Sequence, residues 1–200
     1  MVIDEGSTVI DNDVINRIAE MDKSCEEMAD IVRAVFQALK LDVIIHPLVY
    51  KNEVMHTDGK TAYLFDQKLI AVPETEDIYQ SDPTKKAYYE RVVRELFYRL
   101  NGRQLDEAFK RADQKEAPKV DVFTDWKRGI SLGEIHSLGM CLVCGCKLFL
   151  SDDSDARKLR KDIEDSAMGA VEVLSRRDIA ERLPEGVLVR RDRKAFAHER

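Results

Sequence analysis

The sequence has no uninterrupted apolar run near the ~20 residues that cross a bilayer, which argues against a transmembrane helix. It also lacks a basic, apolar leader. Residues 1–10 carry Asp4 and Glu5, so no signal peptide is expected. The cysteines are few and badly spread for a secreted disulfide framework: Cys25 stands alone, and Cys141, Cys144 and Cys146 lie together. These absences lead to the expectation of a soluble, cytoplasmic protein in a reducing compartment. Positive charge is not in surplus either. The formal net charge is −6, so any polyanion partner must be met by local basic patches. There is no internal repeat and no low-complexity segment, which excludes a repeat architecture.

What is there suits one domain, 1–200, with room for an insertion or extended helical region at about 57–118. Hydrophobic residues make up 44%, enough for a core that needs no disulfide or metal staple. Charged residues make up 35%, which implies well-solvated helix faces.

The hydrophobic pattern alternates strands and helices. Residues 7–11 form a short β-branched run ending in Asp11. Asn12 or Asp13 caps a helix carrying Val14, Ile15, Ile18 and Met21. A second helix is expected over 24–40, with Met28, Ile31, Val32, Val35, Phe36 and Leu39 in one stripe. Asp42–His46 reads as a buried strand, and Pro47 opens a helix to about residue 55. In 57–73, Thr61–Phe65 and Leu69–Val72 suit a hairpin or a loop. A helix follows Pro83, expected to stop at Asn101-Gly102, then a polar helix over 103–115 and a strand or loop at Val120–Phe123. Residues 131–145 read as helix ending at Gly145. A strand over 148–150, a helix to 165, a strand over 171–174 and a helix over 175–182 complete the pattern, with a frayed arginine-rich tail after 190. The alternation predicts an α/β fold: a three-layer α/β/α sandwich with a mainly parallel central sheet.

In parallel sheets, sites gather beyond the carboxyl ends of the strands. Asp11 follows one strand, and Asp152 and Asp153 follow another. Glu53 lies on the helix after the 42–46 strand, and Glu134 starts the helix that leads into the 148–150 strand. Carboxylates brought together repel unless a cation neutralises them. Hard oxygen ligands favour Mg2+ or Mn2+, which activate water against a phosphodiester. The plain alternative for each acid is a helix cap or an exposed helix residue.

The segment 132–157, Leu-Gly-Glu-Ile-His-Ser-Leu-Gly through Ser151-Asp-Asp-Ser-Asp-Ala-Arg157, resembles the second half of a PIN-domain nuclease. The opening Val9-Ile-Asp-Asn-Asp-Val-Ile15 looks like that family's first strand, and Glu53 matches its second acid. The resemblance runs from residue 7 to about 175. It implies a metal-dependent ribonuclease in which Asp11, Glu53, Glu134 and Asp153 bind Mg2+ or Mn2+. Asp152 is the adjacent candidate, since the pair leaves the register open by one. Asp13 and Ser151 would support the acids, and Arg157 would steady an acid or contact a phosphate. The implied substrate is RNA, in single-stranded form. Some members of the family are toxins paired with an antitoxin, so an antitoxin or other protein partner and a homo-oligomer are both open. No membrane is implied.

Two alternatives stand beside this reading. Asp11-Asn-Asp13 also fits the Asp-x-Asp of haloacid-dehalogenase-type phosphatases, with Asp11 as nucleophile, Asp13 as general acid/base and Lys127 as the stabilising cation. Against it, Ile15 replaces the usual Thr or Val, no glycine-rich stretch follows the late acids, and Glu53 and Glu134 have no role. The other alternative is a PIN-like module that binds nucleic acid or protein with little catalysis.

Weaker signals are read as packing. Cys141, Cys144 and Cys146 invite a zinc site but fall where small buried residues are expected. His46, His56 and His136 lie near candidate acids and are expected to be surface or satisfied residues. Trp126, Tyr88 and Tyr89 suit base stacking but fit the core better. The helix after Ser151, with Arg157, Lys158, Arg160 and Lys161, is the basic surface best placed for RNA phosphates.

Overall fold

The computed structural model describes residues 1–55, 57, 59–111, 122–123, 131–164 and 171–197. Its centre is strand β1 (Ser7–Ile10), which pairs in parallel with β2 (Asp42–Ile45) on one side and β3 (Leu148–Leu150) on the other. β4 (Glu172–Leu174) lies parallel beside β3, so the order is β2-β1-β3-β4. The fold is α/β with an all-parallel four-stranded sheet, compatible with three layers.

Side chains on successive strand residues point to opposite faces, and the core divides accordingly. Val9, Ile44, Phe149 and Val173 join one buried cluster with Tyr89, Val93, Ile135 and Leu138. Ile10, Val43, Ile45, Leu150 and Leu174 join another with Val14, Ile18, Val32 and Ile179. The second cluster includes helices α1 (Asn12–Ala19) and α2 (Cys25–Leu39). A reciprocal Ser24–Glu27 cap starts α2.

After β2 the chain forms a short helix α3 (Pro47–Val49), with Pro47 in its first turn, and passes directly into a π-helical turn over Tyr50–Val54. Next come α4 (Gly59–Asp66) and α5 (Thr75–Tyr79). The hairpin or loop expected for Thr61–Phe65 is therefore corrected, while Leu69–Val72 lies outside any helix or named strand, as the loop reading expects. Thr61 and Leu64, three residues apart, are both buried on α4. Ala71 instead runs beside β2, donating its N–H to Val43 (2.9 Å) and accepting from Ile45 (3.0 Å).

The expected stop at Asn101-Gly102 is also overturned: α6 runs unbroken over Pro83–Arg111. A glycine inside a helix costs only about 1 kcal/mol, and the buried Val92, Val93, Leu96 and Phe97 anchor the helix just before it. The separate helix over 103–115 is thus the end of α6 as far as residue 111. Its remainder, like Val120 and Asp121, lies outside the described residues, and Val122–Phe123 form a turn.

Helix α7 (Leu132–Cys144) ends on Gly145, whose φ of +79° suits only glycine well. It crosses α6 closely: a β-carbon at Gly139 would stand 2.8 Å from Val93 Cγ2. β3, α8 (Ser154–Glu164), β4 and α9 (Arg176–Arg182) follow as the sequence pattern predicts. As far as residue 197 the tail after 190 is not frayed. It forms α10 (Arg190–Ala197), with Phe196 fully buried. There the Arg193 guanidinium donates to the carbonyls of Ala180, Leu183 and Pro184, and Asp192 pairs with Lys23 at 2.7 Å. No described helix is long and apolar enough to cross a membrane.

Candidate active site

The chain leaves β1 toward β2 on one side and returns to β3 on the other. The carboxyl ends of β1 and β3 therefore flank the point where the sheet order switches, the usual crevice of an open parallel sheet. Asp11 sits directly after β1. It is buried, its Oδ1 accepts from the Asn12 N–H at 2.9 Å, and the Ser151 hydroxyl donates to its Oδ2 at 3.3 Å. Ser151 follows β3 and also accepts from the Asp153 N–H at 3.1 Å. The supporting serine expected for the last acid thus reaches both acids through its hydroxyl, donating to the Asp11 carboxylate and accepting from the Asp153 backbone N–H.

Glu53 arrives from another segment, on the π-helical turn. The turn is closed by Met55 N–H donating to the Tyr50 carbonyl five residues back, at 2.8 Å. One residue more than an α-turn changes the direction in which the following side chains point. Nothing in the 47–55 pattern signalled that turn. Gly133, in the first turn of α7, is the meeting point. A β-carbon there would lie 3.1 Å from Glu53 Oε1 and 3.3 Å from Asp11 Oδ1. Glu134, the next residue, interacts electrostatically with Asp11, Asp13, Glu53 and Asp153.

The protonation energetics record this crowding. Burial, then the neighbouring Glu134, raises the Asp11 carboxyl well above its ordinary range. Burial, reinforced by Asp153, Asp13 and Glu53, pushes Glu134 up to about 7. Asp13 rises to about 6 through burial and the nearby Asp152. Five of the sequence-predicted acids, Asp11, Asp13, Glu53, Glu134 and Asp153, thus form one electrostatic cluster.

Asp13 and Asp152 are engaged differently from the rest. Asp13 Oδ1 accepts from Val14 N–H at 2.6 Å and its Oδ2 from Asp152 N–H at 2.9 Å. Asp152 turns away to the buried Arg176, which grips it with its Nε (2.5 Å to Oδ2) and its backbone N–H (2.9 Å to Oδ1). Arg157 is exposed and donates to the Asp152 carbonyl at 3.4 Å. The sequence pattern does not single out Arg176; its one local signal is its place at the start of α9.

The histidines at 46 and 136 are satisfied core residues. Leu48 N–H donates to His46 Nδ1 at 3.1 Å, so His46 carries its proton on Nε2 and donates it to Tyr89 Oη at 2.7 Å. The Tyr89 hydroxyl then donates to His136 Nδ1 at 2.6 Å, and His136 Nε2 donates to the Val122 carbonyl at 2.9 Å. Both imidazoles are neutral in this chain of bonds. Burial holds His46 well below the usual histidine range and lowers His136 to about 4. Tyr89 is fully buried, so it does not stack on a ligand. His56, Trp126 and Lys127 lie outside the described residues.

The cysteines are free thiols. Burial pushes Cys141 up and Cys144 up to about 12, and Cys144 Sγ points to the Ile78 carbonyl at 3.6 Å.

For a metal, the relevant donor set is the all-oxygen one around Gly133. Hard carboxylate oxygens of opposed segments, destabilised by each other's charge, suit Mg2+ or Mn2+. Among the described residues, no group of three or more His, Cys, Asp or Glu side chains stands ready as a complete ligand set. No protein-family model matches the chain, and no curated protein and no solved structure matches it.

Proposed function

We propose that this chain is a divalent-metal-dependent ribonuclease of PIN-domain type, folded as a three-layer α/β/α sandwich. The observation that carries the reading is the approach of Asp11 and Glu53 to the open face of Gly133, beside Glu134, at the carboxyl ends of β1 and β3. Asp11, Glu53, Glu134 and Asp153 would hold Mg2+ or Mn2+. Such an ion, when bound, activates water and offsets charge on a phosphodiester. The protein's part is to hold the acids in place. The Asn12 N–H and the Ser151 hydroxyl orient Asp11, the π-turn aims Glu53, and Gly133 keeps a β-carbon out of the space between them. The proposed substrate is single-stranded RNA, in the cytoplasm. An antitoxin or other protein partner, or a second copy of the chain, is compatible with this role.

The phosphatase alternative gives no role to Glu53 and Glu134, which lie close to Asp11. A module that binds nucleic acid or protein with little catalysis is the remaining alternative. Incubation with single-stranded RNA and with a phosphomonoester, each with Mg2+, Mn2+ or a chelator, separates the three. Metal-dependent RNA cleavage supports the nuclease. Phosphomonoester turnover with a trapped aspartyl-phosphate at Asp11 replaces it with the phosphatase. Neither activity, with no divalent ion bound at millimolar concentration, leaves the binding module.

A further inference from the structure

Arg176 is 2% exposed, and its partner Asp152 is also largely buried. Arginine is seldom buried so fully unless paired, and a buried pair costs desolvation that its own attraction offsets only in good geometry. The geometry here is good: Arg176 takes both Asp152 oxygens, one through Nε and one through its backbone N–H. Its Nη1 donates to the Phe196 carbonyl of α10 at 3.1 Å. Helix α9 does not need this pair as a cap, because Ser175 and Asp178 already cap it reciprocally.

The pair's consequence lies in the loop after β3. Ser151, Asp152 and Asp153 succeed one another, and the two flanking residues serve the acid cluster. Ser151 Oγ bonds Asp11, and Asp153 N–H bonds Ser151 Oγ. Asp152 is directed the other way, into Arg176, while its own N–H holds Asp13 Oδ2 at 2.9 Å. We propose that Arg176 is a positioning residue for the acid cluster: it fixes Asp152 outside the metal set, and so sets the register that delivers Asp153 and braces Asp13. Through the Phe196 carbonyl, docking of the C-terminal helix α10 is part of the same brace. Asp152 is then a clamp and Asp153 the ligand. The inference rests on the metal-dependent reading of the site.

The test is Mn2+ affinity of the full chain by electron paramagnetic resonance, with circular dichroism to establish folding. Arg176→Met and Asp152→Asn should each weaken Mn2+ binding about tenfold, the scale of lost support behind metal ligands. Arg176→Lys, which keeps the charge but not the fork, should fall between wild type and Arg176→Met. The double variant Asp152→Asn/Arg176→Met should be no weaker than the worse single, because both remove one clamp. It also removes both buried charges, so it decides the matter if Arg176→Met fails to fold. Wild-type affinity in the double variant overturns the proposal. So does a collapse in Asp152→Asn with Arg176→Met unaffected, which makes Asp152 a direct ligand. Absence of Mn2+ binding by the wild type at millimolar concentration instead removes the metal-dependent reading itself, and this inference with it.

Discussion

Gly133 faces the Glu53 carboxylate so closely that a β-carbon on it would stand 3.1 Å from Oε1. The same carbon would stand 3.3 Å from Asp11 Oδ1. A glycine in the first turn of a helix is otherwise a poor choice, since alanine there stabilises by roughly 0.5–1 kcal/mol. Gly133→Ala should therefore separate the two effects. The neighbouring carboxylate ends give way, melting temperature stays level or rises, and metal-dependent RNA cleavage falls at least about tenfold, as expected for a misplaced catalytic group. Paired thermal melts and cleavage rates check this. A variant with both unchanged means that the space over Gly133 is not used.

The raised carboxyls predict an unusual stability profile. Glu134 titrates near 7 in the folded chain against an ordinary value of 4.5, and Asp13 near 6 against 3.8. At these acids the folded state holds more protons than the unfolded one, so their contribution to stability falls as pH rises. The buried neutral His46 and His136 act in the opposite sense over the same range, because the unfolded chain takes up their protons below about 6.5. The acids' share is therefore read from a variant: metal-free Glu134→Gln should lose less stability than wild type between pH 5 and pH 7.5. Acids whose carboxyls are lowered by partners, such as Glu172 beside Arg182, oppose this trend only below their ordinary values, outside the window. Excess Mn2+ should offset the loss at pH 7.5, because it binds the ionised acids. Urea midpoints at both pH values, with and without Mn2+, read the effect. A Glu134→Gln midpoint that falls as far as the wild type's from pH 5 to 7.5 contradicts it.

Tyr89 joins two helices and a strand end through one hydroxyl. Tyr89→Phe keeps the ring in place but leaves His46 Nε2–H and His136 Nδ1 without their partner. Unmet buried polar groups cost about 1–3 kcal/mol each. The expected result is a loss of roughly 2–4 kcal/mol in denaturant unfolding, with the RNA cleavage rate of the remaining folded protein little changed. A large loss of cleavage at full folding would instead make the network part of the chemistry.

Much of this architecture was legible because burial imposes simple periods. The β-branched runs at 7–10 and 42–45 and the stripes on α1 and α2 announce the parallel sheet and its covering helices. Asp11 and the 151–153 loop were legible for the same reason: they follow strands. Three features were hidden because they depend on tertiary partners. Asn101-Gly102 looks like a stop, yet packing carries α6 through it. Arg193 of α10 looks solvated, yet it donates to the carbonyls of Ala180, Leu183 and Pro184 at the end of α9. Asp152 and Asp153 are chemically identical in the sequence, and only Arg176 distinguishes them. The π-turn that carries Glu53 has no local signature, since one extra residue per turn leaves composition unchanged.

The central claim is that the carboxylates gathered around Asp11 bind a divalent ion that cleaves RNA. Asp11→Asn tests it most directly, because the substitution keeps the shape and removes one charge from a crowded site. Cleavage of single-stranded RNA in Mn2+ should fall by about a thousandfold or more, equivalent to roughly 4 kcal/mol in the barrier. The melting temperature should be unchanged or higher, since a buried repelling carboxyl is gone. Undiminished cleavage by Asp11→Asn, or wild-type cleavage that persists in a chelator, would contradict the account.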